Sequence, residues 1–208
     1  KGTYSQNSYA KLLKKNVADY FKKASNDKVT LVPARESHGK RNNGVVGWIN
    51  LGYKHPDTGG KIGEQNKTIV RKAIVKADKY VDFKFYDKNK DGSTDSDELA
   101  VVVIVAGYES STSPGRGPGV WGHAGVIKSP PKVDGVNLGE VFSNGIFMRY
   151  SQFGDLISGY NNTFPQVTMG VIVYELGHHI FGLPDLYDYD GSSYGIGVFG
   201  LVGSGCWG

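Results

Sequence analysis

The sequence predicts an α/β chain of the α+β kind: a twisted mixed sheet, backing helices, and one further helix near the C-terminus that carries the chemistry. Three observations lead there. Apolar residues recur at helical spacing in three separate segments. Between them lie runs rich in β-branched residues, including the continuous Leu99-Ala-Val-Val-Val-Ile-Val-Ala106. Thirty glycines without a period break these runs apart and mark turns, not a repeat.

The elements follow in chain order. Ser5 to Ala24 reads as a helix, with Tyr9, Leu12, Leu13, Val17, Tyr20 and Phe21 on one face, closed by Ser25-Asn-Asp. Val29 to Pro33 and Gly44 to Leu51 are strand candidates, separated by the polar loop Arg35 to Asn43. Tyr53 to Gly63 is turn-rich. Glu64 to Val81 is the second helix, burying Ile69, Val70, Ala73, Ile74 and Ala77. The apolar run Leu99 to Ala106 has the character of a buried central strand. Glu109 to Gly119 is an exposed loop, Val120 to Ala124 a short strand at a sheet edge, and Val136 to Tyr150 holds one or two more strands. The third helix is expected to start at an N-cap Thr163, after Asn161-Asn162, with Pro165 in its first turn, and to end near Gly182. The tail Gly191 to Gly208 is turn-like.

Bulk properties narrow the function classes. A chain of 208 residues can bury a substantial core and reads as a single domain over 1–208. Its net charge of +4 comes from lysines scattered among acids, which disfavours a nucleic-acid surface. The single cysteine, Cys206, excludes an intrachain disulfide. No apolar run reaches the roughly 18 residues that a membrane span needs. A start at Lys1 reads as a mature or trimmed chain, and the end soon after the last turn as a C-terminal truncation.

Two constellations carry chemistry. Asp87-Lys-Asn-Lys-Asp-Gly-Ser-Thr-Asp-Ser-Asp-Glu98 has the spacing of an EF-hand loop, with Gly92 at the sharp turn. Asp87, Asn89, Asp91, Ser93, Asp95 and Glu98 are the expected calcium ligands, with Asp97 the competitor to Asp95. A strand follows the loop where an EF-hand would have a helix. The second constellation is Tyr174-Glu-Leu-Gly-His-His-Ile-Phe-Gly-Leu-Pro-Asp185, a zinc-protease H-E-x-x-H helix whose first histidine is Tyr174. Glu175 is the expected base, and His178 and Asp185 are metal ligands. Tyr174 has either lost the metal, or ligates it as a phenolate, or was introduced to disable the site. A second register pairs Glu175 with His179 as ligands and leaves no base; the first is favoured because it keeps a base beside the ligand position. Asp188 and Asp190, with Ser192, form a candidate second cation site. Glu109, His123 and Tyr150 could line the cleft, His123 touching substrate backbone beside Trp121. His38 and His55 read as surface or turn residues.

The same residues resemble the immune-inhibitor-A type secreted bacterial metalloproteases. That family carries His-Glu-Leu-Gly-His, Gly-Leu-Pro-Asp-Leu-Tyr-Asp and Leu-Met-Gly-Ser-Gly-Ser-Trp. The resemblance runs from about Val45 to the end and includes the Asp87 loop and Val120-Trp-Gly-His123. It implies a zincin-like fold, an extracellular protein or peptide substrate, and zinc and calcium as cofactors. Three departures stand out: Tyr174, one extra residue between His178 and Gly182, and Val202 where the family has the methionine beneath the metal. The expectation is a metalloendopeptidase domain that is impaired or inactive, or a calcium-stabilised, non-catalytic binding domain on a protease fold.

Overall fold

The computed structural model describes residues 2–159, 163 and 165–207. The first helix, α1, runs unbroken over 6–24: it is α-helical at Gln6–Lys11 and Ala18–Ala24, with a π stretch at Leu12–Val17 between them. Ser5 caps it by accepting the Ser8 N–H on its hydroxyl. Helix α2 is Glu64–Ala77 and α3 is Met169–Phe181. The strands, in chain order, are β1 Ser93–Thr94, β2 Val102–Glu109, β3 Gly119–Val120, β4 His123–Lys128, β5 Lys132–Val133, β6 Val136–Leu138, β7 Glu140–Phe142 and β8 Gly145–Leu156.

The main sheet is mixed, in the order β3-β2-β8-β4, with β7 also pairing with β8. Strand β8 runs parallel to β2 and antiparallel to β4, with Val102 opposite Ser151 and His123 opposite Gln152. A small second sheet, β1-β6-β5, docks the charged loop.

Alternation along β8 divides the interior into two cores. Met148 and Tyr150 pack with Val70 and Ile74 of α2 and with Ile127. Phe153 packs on the other side, with Tyr9, Val17 and Phe21 of α1 and with Val171, Ile172 and Leu176 of α3. The helices therefore cover opposite sides of β8. Asn66 locks α2 in register: its amide nitrogen donates to Gln152 Oε1 at 2.9 Å, and its amide oxygen accepts the Gly63 N–H.

Several element expectations change. Val136 to Tyr150 holds β6, β7 and the first half of β8, three strands where one or two were expected, and Val120 to Ala124 is divided between β3 and β4. Val29 to Pro33 and Gly44 to Leu51 form no strands. Backbone groups in 44–51 bond side chains instead: Val45 N–H donates to Asn43 Oδ1, Gly47 N–H to His38 Nδ1, and the Val45 carbonyl accepts Gln6 Nε2–H. Among the described residues, β2 is paired on the side away from β8 only at Tyr108 and Glu109, with β3. A recess of about 1360 Å³, lined by residues such as Leu31, Val46 and Val103, lies between β2 and this loop. Helix α2 stops at Ala77, four residues early. Strand β2 starts at Val102 because Glu98 and Leu99 N–H both turn back to the Asp95 carbonyl. Helix α3 starts at Met169, after Thr168, and not at Thr163. The preceding backbone is committed to β8: the Val167 N–H donates to the Asp155 carbonyl, and the Pro165 carbonyl accepts the Ile157 N–H. Asn161 and Asn162 lie outside the described residues.

Among the described residues no helix is long and apolar enough to cross a membrane.

Candidate active site

The site is built at the C-terminal half of α3. Gly182 ends that helix in the left-handed region (φ 63°, ψ 27°), a conformation that favours glycine because it has no Cβ to clash with the carbonyl. The reversal lets the Leu183 N–H reach back to the Gly177 carbonyl and brings the Leu183 carbonyl 2.5 Å from His178 Nδ1. A carbonyl only accepts, so Nδ1 carries the proton. Nε2 is then the ring atom turned towards Asp185.

Pro184 carries the chain round to Asp185. Its Oδ1 lies 3.1 Å from His178 Nε2 and accepts the Tyr174 hydroxyl. The Tyr174 and His178 rings meet edge to face, with centroids 4.7 Å apart. On the other carboxylate oxygen, Tyr187 and Tyr189 each donate a hydroxyl at 3.2 Å. Asp185 is thus ringed by three phenols and an imidazole. Burial, the hydrogen bond to Asp185 and that carboxylate's charge all push the Tyr174 phenol well above its usual range.

Glu175 points from the next helix position to β4, where its Oε2 accepts the Ala124 N–H at 2.6 Å. Burial raises its pKa to about 7, against the opposing pull of the Ala124 hydrogen bond. A carboxyl that changes charge near neutral pH can take a proton and return it.

The structure therefore brings Tyr174, His178 and Asp185 into contact, with Glu175 close enough for the charges of His178 and Asp185 to act on it. It does not bring His179 to them. That side chain is buried on the sheet side of α3, where Nδ1 meets the Ser151 hydroxyl at 3.1 Å and Nε2 has no partner. Burial lowers its pKa to about 4, so it is held neutral. His123 does not open to a cleft either: it is 4% exposed, with Nδ1 against the Trp121 carbonyl and Nε2 against the Tyr150 hydroxyl. Glu109 is fully buried and accepts from the Gly122 and Gly154 N–H groups and from Ser111, which makes it a pin between strands. His55 is half-buried, and its Nδ1 accepts the Asp57 N–H.

Zinc does not fit this donor set as a three-ligand catalytic ion. Among the described residues no three His, Cys, Asp or Glu side chains gather as a metal-binding group. His178 and Asp185 supply two donors, and the third position holds a phenol that keeps its proton on Asp185.

The Asp87 loop is closer to its expected shape. Gly92 has φ 84° at the sharp turn, and its N–H donates to Asp87 Oδ2 at 3.1 Å. Asn89 Oδ1 accepts the Asp91 N–H, Asp91 Oδ1 the Ser93 N–H, and Glu98 Oε1 folds back onto the Lys88 N–H. Asp87 Oδ1 is buried without a partner, an anionic oxygen that a cation inside the loop would satisfy. Asp95 faces the chain end of the loop, accepting the Asp97 N–H, and the Ser93 hydroxyl leaves the loop for the Gly139 carbonyl. In the second acidic turn Asp190 Oδ1 caps the Ser192 N–H, while Asp188 caps the Asp190 and Ser193 N–H groups and the Ser192 hydroxyl.

Three participants escaped sequence reasoning: Tyr187, Tyr189 and the Ala124 N–H. The alternation Asp185-x-Tyr187-x-Tyr189 was the signal for the tyrosines, since an extended segment puts every second side chain on one side. Nothing in the sequence marks a main-chain donor 51 residues away from Glu175.

No protein-family model matches the chain, and neither a curated protein nor a solved structure matches it.

Proposed function

We propose that this chain is a metalloendopeptidase-type domain of the secreted immune-inhibitor-A kind, with a zincin-like fold, in which peptide hydrolysis is disabled at Tyr174. One observation carries this reading: Tyr174 and His178 both meet Asp185 Oδ1 at one helix end, with Glu175 on the same helix, and the residue at the first ligand position is a phenol. The surroundings support it. Strand β4 runs antiparallel beside β8, pairs with no other strand among the described residues, and offers Glu175 the N–H of Ala124. In a zinc protease the metal supplies an acidified water and polarises the scissile carbonyl. In this chain Glu175 remains able to hold a proton, His178 is oriented by Leu183, and Asp185 is taken up by hydroxyl donors.

The test is Tyr174→His. The substituted chain should take up one equivalent of zinc and hydrolyse casein, while the unchanged chain does neither. Zinc uptake together with casein cleavage by the unchanged chain would remove the reading.

The open side of β4 favours a second reading, a calcium-stabilised domain that binds peptides by strand addition without cutting them. Saturable binding of a casein-derived peptide with no cleavage in either form supports it over the first.

A further inference from the structure

The net charge of +4 is unevenly held. Residues 1–41 contain ten of the 24 lysines and arginines and three of the 20 acidic residues, a net charge of +7 that leaves the rest of the chain at −3. Helix α1 carries most of the excess. Its apolar residues Tyr9, Val17 and Phe21 turn into the core with Phe153 and α3, which leaves Lys11, Lys14, Lys15, Lys22 and Lys23 exposed on the outward side. Among the described residues, only Lys22 of these five has an ion-pair partner, the exposed Asp27 at 3.6 Å. Glu36 does not offset the rest: it is buried and accepts the His38 and Asn43 N–H groups. The acidic Asp87 loop lies on the other side of β8, because its strand β1 pairs with β6, whose Val136 and Leu138 belong to the α2 core.

The basic patch is broad as well as long. From Lys11 to Lys23 the helix rises about 18 Å. Lys14 and Lys15 are sequence neighbours, as are Lys22 and Lys23, and neighbours on a helix lie on different rows. The patch also continues past both helix ends. At the N-terminal end Gln6 holds the turn that carries the exposed Lys40 and Arg41: its amide nitrogen donates to the His38 carbonyl at 2.7 Å, and its oxygen accepts the Lys40 N–H at 3.1 Å. At the C-terminal end the Ser25 hydroxyl accepts the Val29 N–H at 2.9 Å and keeps the exposed Lys28 beside the helix. Two properties select the partner. The cations of α1 are all lysines, compact hydrated charges without the fork with which arginine grips single phosphate groups. Spread over several rows and beyond both ends, they match a plane of anions better than a single strand. We propose that this face of α1, with Lys28, Lys40 and Arg41, docks the chain on an anionic phospholipid surface. Because the apolar residues of α1 are packed in the core, the contact is electrostatic and reversible, with nothing inserted into the bilayer. It involves no residue of the candidate active site.

The experiment is co-sedimentation of the unchanged chain with vesicles of phosphatidylcholine and phosphatidylserine in equal parts, and with vesicles of phosphatidylcholine alone. The chain should bind the mixed vesicles and not the neutral ones. Binding should weaken between about 0.01 M and about 0.15 M salt, as the Debye length shrinks from about 30 Å to about 8 Å. Lys11→Gln/Lys15→Gln should weaken it by about fivefold for each lysine removed, with circular dichroism unchanged. Lys61→Gln/Lys132→Gln removes the same charge from exposed positions outside the patch and should leave binding close to that of the unchanged chain. Absence of binding to the mixed vesicles at low salt overturns the proposal. Equal losses in the two double variants also overturn it, since net charge and not this face would then be responsible. Retention on heparin without vesicle binding makes the partner a linear polyanion and overturns it as well. The Tyr174→His casein assay reports on the protease reading independently of all these outcomes.

Discussion

Glu175 and His179 are four positions apart on one helix and respond to burial in opposite senses. Glu175 keeps its proton up to about pH 7, because burial disfavours the carboxylate. Its folded pKa is raised, so between about pH 4.5 and 7 the folded state binds more protons than the unfolded state, and stability falls as pH rises. His179 has its pKa lowered to about 4, so between that value and 6.5 the unfolded state binds more protons, and stability rises with pH. The two slopes oppose each other from about pH 4.5 to 6.5. The melting temperature of the unchanged chain should vary little across that interval. Glu175→Gln removes one slope and exposes the other, so its melting temperature should climb by roughly 5 °C or more over the same interval. A flat profile in both proteins would show that the two groups do not titrate as their burial dictates. Spacing offered Glu175, His178 and Asp185 as a set but left a second register through His179 open. The role of Tyr174 was not legible, because a phenol can ligate, donate or do neither, and only the position of Asp185 Oδ1 decides that it donates.

At the scale of elements, the Asp87 loop and the segments around β2 show two kinds of legibility. The loop's oxygen spacing and its glycine are local, and the turn they make is local too: Gly92 closes onto Asp87 within five residues. The buried, unpartnered Asp87 Oδ1 leads to a thermal prediction. Calcium at about 100 times its dissociation constant should stabilise the chain by about 2.7 kcal/mol, or roughly 5–10 °C at this length. EDTA should reverse the gain, and Asp87→Ala should abolish the response. Differential scanning fluorimetry with and without calcium checks this, and an unresponsive unchanged chain would end the calcium assignment. Val29 to Pro33 and Gly44 to Leu51, by contrast, have the β-branched composition of strands and form none. Strand propensity records fitness for a pleated, half-buried surface, and a ladder still needs a neighbour in register. Here Asn43, His38 and Gln6 take backbone groups that a neighbouring strand would otherwise bond. The delayed start of α3 has the same cause, since residues 165–167 are bonded to the end of β8.

For the molecule as a whole, β8 is the organising element, and its alternation assigns each helix to a side. Asn66 ties α2 to Gln152 on one side, and Tyr9 ties α1 to Asp155 on the other. Asp155 is fully buried and also accepts the Thr3 N–H at 2.5 Å. Tyr9→Phe leaves that carboxylate short of a donor and should cost about 1–3 kcal/mol in urea unfolding. A loss below about 0.5 kcal/mol would mean that α1 is not held to the sheet through this bond. The helices, the mixed α+β character and the site-bearing end of α3 follow from the sequence by itself, because periodicity, caps and turn residues act over a few positions. Tertiary structure alone decided that Asp185 meets Tyr174 and His178 and not His179, that His123 and His179 turn inward, and that Tyr187 and Tyr189 join Asp185. Those outcomes depend on which face of α3 meets β8 and on where Gly182 turns the chain. Burial and hydrogen-bond geometry between segments distant in sequence set both, and no local pattern encodes them.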